Sequence, residues 1–207
     1  MMPDPPLPSS GSRESSRLKT LISAAGSYPI LPWSRHNMHH GTLPDGTTLF
    51  IDANIFLHTI LGNTRESKPS AHFLSQVERG IIHGTTSVIV LNEVLHRLLI
   101  AYVVSECGIG PESAVGYLKS NPATVRDAKT VWEITDDIMH IKNLNICGIS
   151  DATFARSLTI MQEYGLMSND ALHVASMDEY SITTLATYDR DFENISRISV
   201  WNPRDVK

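Results

Sequence analysis

Short apolar runs alternate with longer amphipathic stretches along this chain. Leu49, Phe50 and Ile51 are consecutive and apolar without alternation, which is how a strand buried on both faces of a parallel sheet reads. The run stops at Asp52 and Asn54. Residues 54–61 predict a helix closed by Gly62, and residues 70–79 a second closed by Gly80. Thr85 and Thr86 suggest a brief second strand. Residues 88–104, VIVLNEVLHRLLIAYVV, are apolar at helical spacing and too many for a strand. Beyond the break at 108–111, helices are expected over 111–119 and 123–140, separated by Asn121 and Pro122. Residues 143–149 predict a third strand, and Ser150 or Asp151 caps a helix that runs to Tyr164 and ends at Gly165. A further amphipathic helix over 169–180 precedes strands over 181–187 and 197–201. Strands that alternate with helices in this way predict an α/β fold, a mainly parallel central sheet flanked by helices.

Composition alters the picture at the amino end. Residues 1–16 are rich in Pro and Ser, hold few apolar side chains and read as a disordered tail. Residues 17–25 could form a short amphipathic helix. Residues 28–45 are loop-like and carry His36, His39 and His40, but no Cys or carboxylate stands near them at zinc-site spacing. The division expected is an extension over 1–44, disordered or loosely ordered, and one domain over 45–207. Cys107 and Cys147 form no C-x-x-C pair and read as buried small apolar residues, which suits a reducing compartment. The run over 88–104 is too short and too charged for a bilayer span, and the amino end lacks the basic and apolar segments of a leader. A soluble, cytoplasmic protein without membrane contact is therefore expected.

The formal charge of −5 at first argues against a nucleic-acid partner. It carries less weight if several acids share one pocket. Asp52 follows a strand, Glu93 interrupts an apolar helix, Asp170 opens a helix and Asp189 follows another strand. Each has an ordinary explanation. Asp52 or Asn54 caps the next helix, Glu93 pairs with Arg97 at i+4, Asp170 caps, and Asp189 turns the chain. Ligands of open α/β sheets, however, bind beyond the carboxyl ends of strands. Two carboxylates about 4 Å apart repel by roughly 4 kcal/mol at an effective dielectric near 20, a penalty that a divalent cation removes. Four acids supply the all-oxygen surroundings that Mg²⁺ or Mn²⁺ prefers, and phosphodiester hydrolysis is the chemistry such a site suits. Arg65, Lys68, Arg97 and Arg190 could line a substrate path, although each is by default a surface charge.

Four segments carry a resemblance: LFIDANIFL around Asp52, VIVLNEVLHRL around Glu93, MSNDALHVASM around Asp170, and LATYDRDF around Asp189 and Asp191. In that order they resemble the PIN-domain nucleases, and more narrowly the VapC-type ribonuclease toxins of toxin–antitoxin pairs. The resemblance implies a three-layer, Rossmann-like PIN fold and a metal-dependent endoribonuclease that acts as the toxin of a type II pair. It assigns catalysis to Asp52, Glu93, Asp170 and Asp189, with Asp52, Asp170 and Asp189 holding Mg²⁺ or Mn²⁺. Asn54 and Thr187 would support these ligands through hydrogen bonds, while Asp191 ligates or only orients. His173 reads as packing. The implied partners are an RNA substrate, a cognate antitoxin and a second copy of the chain. Tyr102, Val103, Tyr117 and Leu118, at and after the end of the long helix, are candidates for a partner surface, with core packing as the plainer explanation. The extension before the first strand has no counterpart in the small toxins. Two other readings stay open: a catalytically silent PIN module that binds RNA or protein, and a phosphatase with Asp52 as nucleophile.

Overall fold

The computed structural model describes residues 43–62 and 64–205. The predicted tail, the helix over 17–25 and the three-histidine loop lie outside the described residues. Among the described residues, strands β1 (Thr48–Ile51), β2 (His83–Ser87), β3 (Leu144–Cys147), β4 (Thr184–Ala186) and β5 (Ser199–Trp201) form one sheet in the order β3-β2-β1-β4-β5. Every neighbouring pair is parallel. The helices are α1 (Ala53–Leu61), α2 (Ser67–Glu78), α3 (Val88–Cys107), α4 (Pro111–Ser120), α5 (Pro122–Asp127), α6 (Lys129–Met139), α7 (Asp151–Tyr164) and α8 (Ser168–Glu179).

The central place of β1 explains its unalternating sequence. Leu49, Phe50 and Ile51 are wholly buried, with Phe50 in register with Thr85 on one side and Leu185 on the other. From β1 the chain builds outward through β2 to β3, then returns to lay β4 against the opposite edge of β1. The order therefore reverses between β1 and β4, and this reversal opens a crevice beyond their carboxyl ends. Asp52 and Thr187 each follow one of these two strands by a single residue.

The packing beneath this crevice is tight at Gly84 on β2. A Cβ there would meet Ile51 Cδ1 at 2.8 Å, Val77 Cγ1 at 3.0 Å and Leu144 Cδ1 at 3.1 Å. Gly84→Ala is accordingly expected to destabilise the domain by about 1–3 kcal/mol through overpacking, readable as a lowered urea midpoint.

Several boundaries differ from the pattern, each for a local reason. The helix expected over 123–140 is two helices, α5 and α6, which meet at Ala128. Ala128 is fully buried with φ −73 and ψ 53, and its carbonyl accepts from Val131 and Trp132 as α6 begins. No Gly or Pro marks the break; tertiary packing makes it. Helix α2 starts at Ser67 rather than residue 70, because Pro69 lies in the first turn, where its missing N–H leaves no intrahelical bond unmade. Strand β4 is shorter than 181–187, since Ser181 takes a left-handed turn at φ 56. Helix α3 runs on to Cys107, and with 20 residues and a mean hydropathy of 1.7 it meets the length and composition of a bilayer span, contrary to expectation. Here it buries Val90, Leu91, Val94, Leu98 and Val103 in the domain. Val103 is thus core rather than partner surface. Cys147 is buried, with its thiol pushed up to about 11 by burial, whereas Cys107 is half-buried.

Candidate active site

Asp52 caps the helix that follows β1 and also accepts hydrogen bonds from across the sheet. As N-cap of α1 its Oδ1 accepts from the Ala53 N–H at 2.6 Å. Its Oδ2 accepts from Asn54 Nδ2 and from the Thr187 hydroxyl, each at 2.6 Å. Thr187 Oγ1 in turn accepts from Asn54 Nδ2 at 2.8 Å and from the Asp189 N–H at 3.0 Å. Asn54 Oδ1 accepts from the Tyr188 N–H at 3.3 Å. Residues 133 or more apart in sequence are thereby joined across the β1–β4 reversal. Burial raises the Asp52 carboxyl above the usual carboxylate range, opposed by the Thr187 and Ala53 hydrogen bonds and reinforced by the charge of Asp189.

The loop after β4 carries Asp189, whose Oδ1 accepts from the Asp191 N–H at 2.9 Å where the 3-10 turn Asp191–Asn194 begins. The loop is anchored by Tyr188, whose hydroxyl meets Ser70 Oγ at 2.9 Å and donates to the Glu66 carbonyl at 3.3 Å. Asp170 is not a cap. Met167 takes the extended cap conformation, and Asp170 sits in the first turn of α8. An acid there is favoured by the helix dipole, but its other neighbours oppose it. Asp170 is pushed up to about 6, first by burial and then by the charges of Asp189, Asp52, Glu93 and Asp191. The charges of Asp189, Asp52, Glu93 and Asp191 thus all bear on Asp170. Glu93 is half-buried on α3 and, among the described residues, forms no ion pair with Arg97.

His173, one turn along α8 from Asp170, is buried and packs behind Asp52. Its ring lies against Phe50, with centroids 5.9 Å apart, and its Nε2 is 4.0 Å from Asp52 Oδ1. Burial lowers it to about 4, so the imidazole is neutral at neutral pH, and its Nδ1 has no hydrogen-bond partner among the described residues. The i, i+3 spacing from Asp170 is the signal that places it on the same helix face.

The donor chemistry fits a hard divalent cation. The oxygen donors come from separate elements, and the repulsion they exert on Asp170 is the load that such an ion relieves. Among the described residues, however, no group of three or more His, Cys, Asp or Glu side chains is drawn together closely enough to hold a metal ion as it stands. Thr187 is the keystone of the arrangement. Thr187→Val removes the hydroxyl that joins Asp52, Asn54 and the Asp189 backbone, at an expected cost of about 1–3 kcal/mol for the buried groups left unpaired. Thr187→Ser should recover most of that loss in thermal unfolding.

The family model described as PIN domain matches residues 49–198. Ribonuclease VapC6 of Methanocaldococcus jannaschii is 26% identical over 157 residues, covering 74% of this chain and 96% of that protein. Among solved structures, VapBC2 from Rickettsia felis, bound to a DNA fragment from its promoter, has a TM-score of 0.50 at 16% identity, over 75% of this chain and 98% of the other. A toxin–antitoxin complex from Klebsiella pneumoniae gives 0.45 at 24% identity, over 75% and 97%. The Rickettsia likeness is one of fold. Matched by that model over well more than half its length, the chain belongs to the PIN-domain family.

Proposed function

We propose that this protein is a metal-dependent endoribonuclease that hydrolyses RNA phosphodiester bonds, and that it is the toxin of a type II toxin–antitoxin pair. The observation that carries the reading is Asp170, raised by burial and by four neighbouring carboxylates at the strand reversal. Such a concentration of like charge is a liability to a structure and an asset to a cation site. The similarity to a ribonuclease of the VapC group over nearly that protein's full length points the same way.

In this reading Asp52, Asp170 and Asp189 hold Mg²⁺ or Mn²⁺, with Asp191 steadying Asp189. Such an ion, when bound, polarises a phosphoryl oxygen and acidifies a water ligand. The protein's own contribution is orientation. Thr187, Asn54 and the Ala53 N–H fix the Asp52 carboxylate in one rotamer. Neutral His173 fills the wall behind it without adding a competing positive charge. Glu93, in this reading, accepts the proton that the attacking water gives up.

The working state we propose is a cytoplasmic homodimer that is silenced by its antitoxin. Phe154 and Leu158, exposed one turn apart on α7, offer apolar surface for such partners. The lack of a ready-made three-ligand group favours one other reading, a silent module that binds RNA without cutting it. Incubating labelled RNA with the parent protein and with Asp170→Asn, in Mg²⁺ and in EDTA, separates the two. Cleavage by the parent in Mg²⁺ alone supports the nuclease, and RNA left intact in every lane supports the silent module.

A further inference from the structure

Helix α8 carries two polar side chains one turn apart that bear on the end of β1, Asp170 and His173. His173 is 1% exposed, its ring tilted against Phe50 and its Nε2 4.0 Å from Asp52 Oδ1. Its Nδ1 is buried and has no hydrogen-bond partner among the described residues. These facts choose among the three forms an imidazole can take. The cation has two N–H groups, and the tautomer protonated at Nδ1 has its one N–H on the orphaned side. Either form leaves a buried donor unpaired, at a cost of about 1–3 kcal/mol. The tautomer protonated at Nε2 instead turns its one donor to the carboxylate and leaves only a lone pair at Nδ1.

The same tautomer sets the ring apart from the cation's ligands. A histidine that ligates a metal through one nitrogen almost always donates its other N–H to an acceptor, and Nδ1 meets none among the described residues. Asp52, for its part, has room for one more donor. Its Oδ2 accepts from both Asn54 and Thr187, whereas its Oδ1 accepts from the Ala53 N–H. We propose that His173 is a positioning residue whose Nε2–H faces Asp52 Oδ1 and keeps the Asp52 carboxylate in register with Asp170. At 4.0 Å the pair is beyond a direct hydrogen bond, so the N–H acts as a dipole directed at the carboxylate. This inference rests on the metal-dependent reading above and adds to it the group that ties α8 to Asp52.

The test has two arms, and the first needs no metal. In the full chain labelled with ¹⁵N, long-range proton–nitrogen spectra at neutral pH report which ring nitrogen of each histidine carries the proton. Among the nine histidines, His173 is the one whose signals vanish in His173→Gln. A proton on Nε2 and a bare Nδ1 are expected in EDTA, and the proton should stay on Nε2 when Mg²⁺ is added. A proton on Nδ1 in EDTA would overturn the proposal, and loss of the Nε2 proton to Mg²⁺ would make His173 a ligand and overturn it too. The second arm titrates Mg²⁺ into the metal-free chain by calorimetry. His173→Leu, which has no donor, is expected to bind Mg²⁺ about 10-fold more weakly. His173→Gln, whose amide N–H reaches about as far as Nε2, should recover most of that loss. Unchanged affinity in His173→Leu, or an equal loss in both variants as mere packing would give, would overturn the positioning role. If the parent itself binds no Mg²⁺, the metal-dependent reading fails and takes that role with it, an outcome distinct from any change of tautomer.

Discussion

Replacing Asp170 with asparagine is expected to abolish RNA cleavage while making the metal-free protein more stable. The amide keeps the side chain's shape and removes a charge that lies among four others. Loss of a group so placed is expected to cost about 10²–10⁴-fold in rate, read as single-turnover cleavage of a labelled oligonucleotide. The stability arm has a fixed sign. The folded carboxyl titrates near 6, above its value in the unfolded chain, so the unfolded state ionises first as pH rises. The Asp170 contribution to stability is therefore fully present below about 4, is lost between about 4 and about 6, and stays lost above. Asp170→Asn should escape that loss. Its melting temperature should equal or slightly exceed the parent's at low pH and exceed it more clearly at pH 8. A variant that loses both activity and stability would point to a structural role for Asp170 instead.

Divalent cation is expected to reverse the same penalty. A site that binds only the folded state adds about 2.7 kcal/mol at 100 times its dissociation constant, or roughly 5–10 °C for a domain of this size. Mg²⁺ or Mn²⁺ should raise the melting temperature above pH 6 and lose the effect toward pH 4, where Asp170 carries its proton. Near pH 6, calorimetric titration in buffers of differing ionisation enthalpy should show proton release on binding. Asp170→Asn should weaken both effects strongly. Equal stabilisation at pH 4 and pH 8 would mean that the cation binds elsewhere.

Much of the fold could be read from the chain because local and global preferences agree there. The buried run at residues 49–51 could only be a central strand, and an acid at its end could be a cap or a site residue. The structure shows how one side chain caps with Oδ1 and is bound to a distant threonine through Oδ2. Asn54 and Thr187 were nameable as supports through family resemblance, but the hydrogen bond that Thr187 donates to Asp52 depends on β1 and β4 being neighbours. What the pattern missed depends on packing. The break at Ala128 has no breaker residue, and α3 continues because nothing stops it before Gly108. The contact of His173 with Asp52 joins helix α8 to the end of β1, and no local periodicity reports such a crossing. A cavity beside Asp189 assembles from the loop after β4 and both flanks of β5, segments that no local periodicity brings together.

The central claim is that carboxylates from β1, β4 and α8 share one cation. Crystals of the protein soaked in MnCl₂ and measured at the manganese absorption edge test it most directly. The account predicts an anomalous peak bordered by Asp52, Asp170 and Asp189, absent in Asp170→Asn. An empty crevice in fully soaked crystals, with manganese bound only elsewhere, would contradict it.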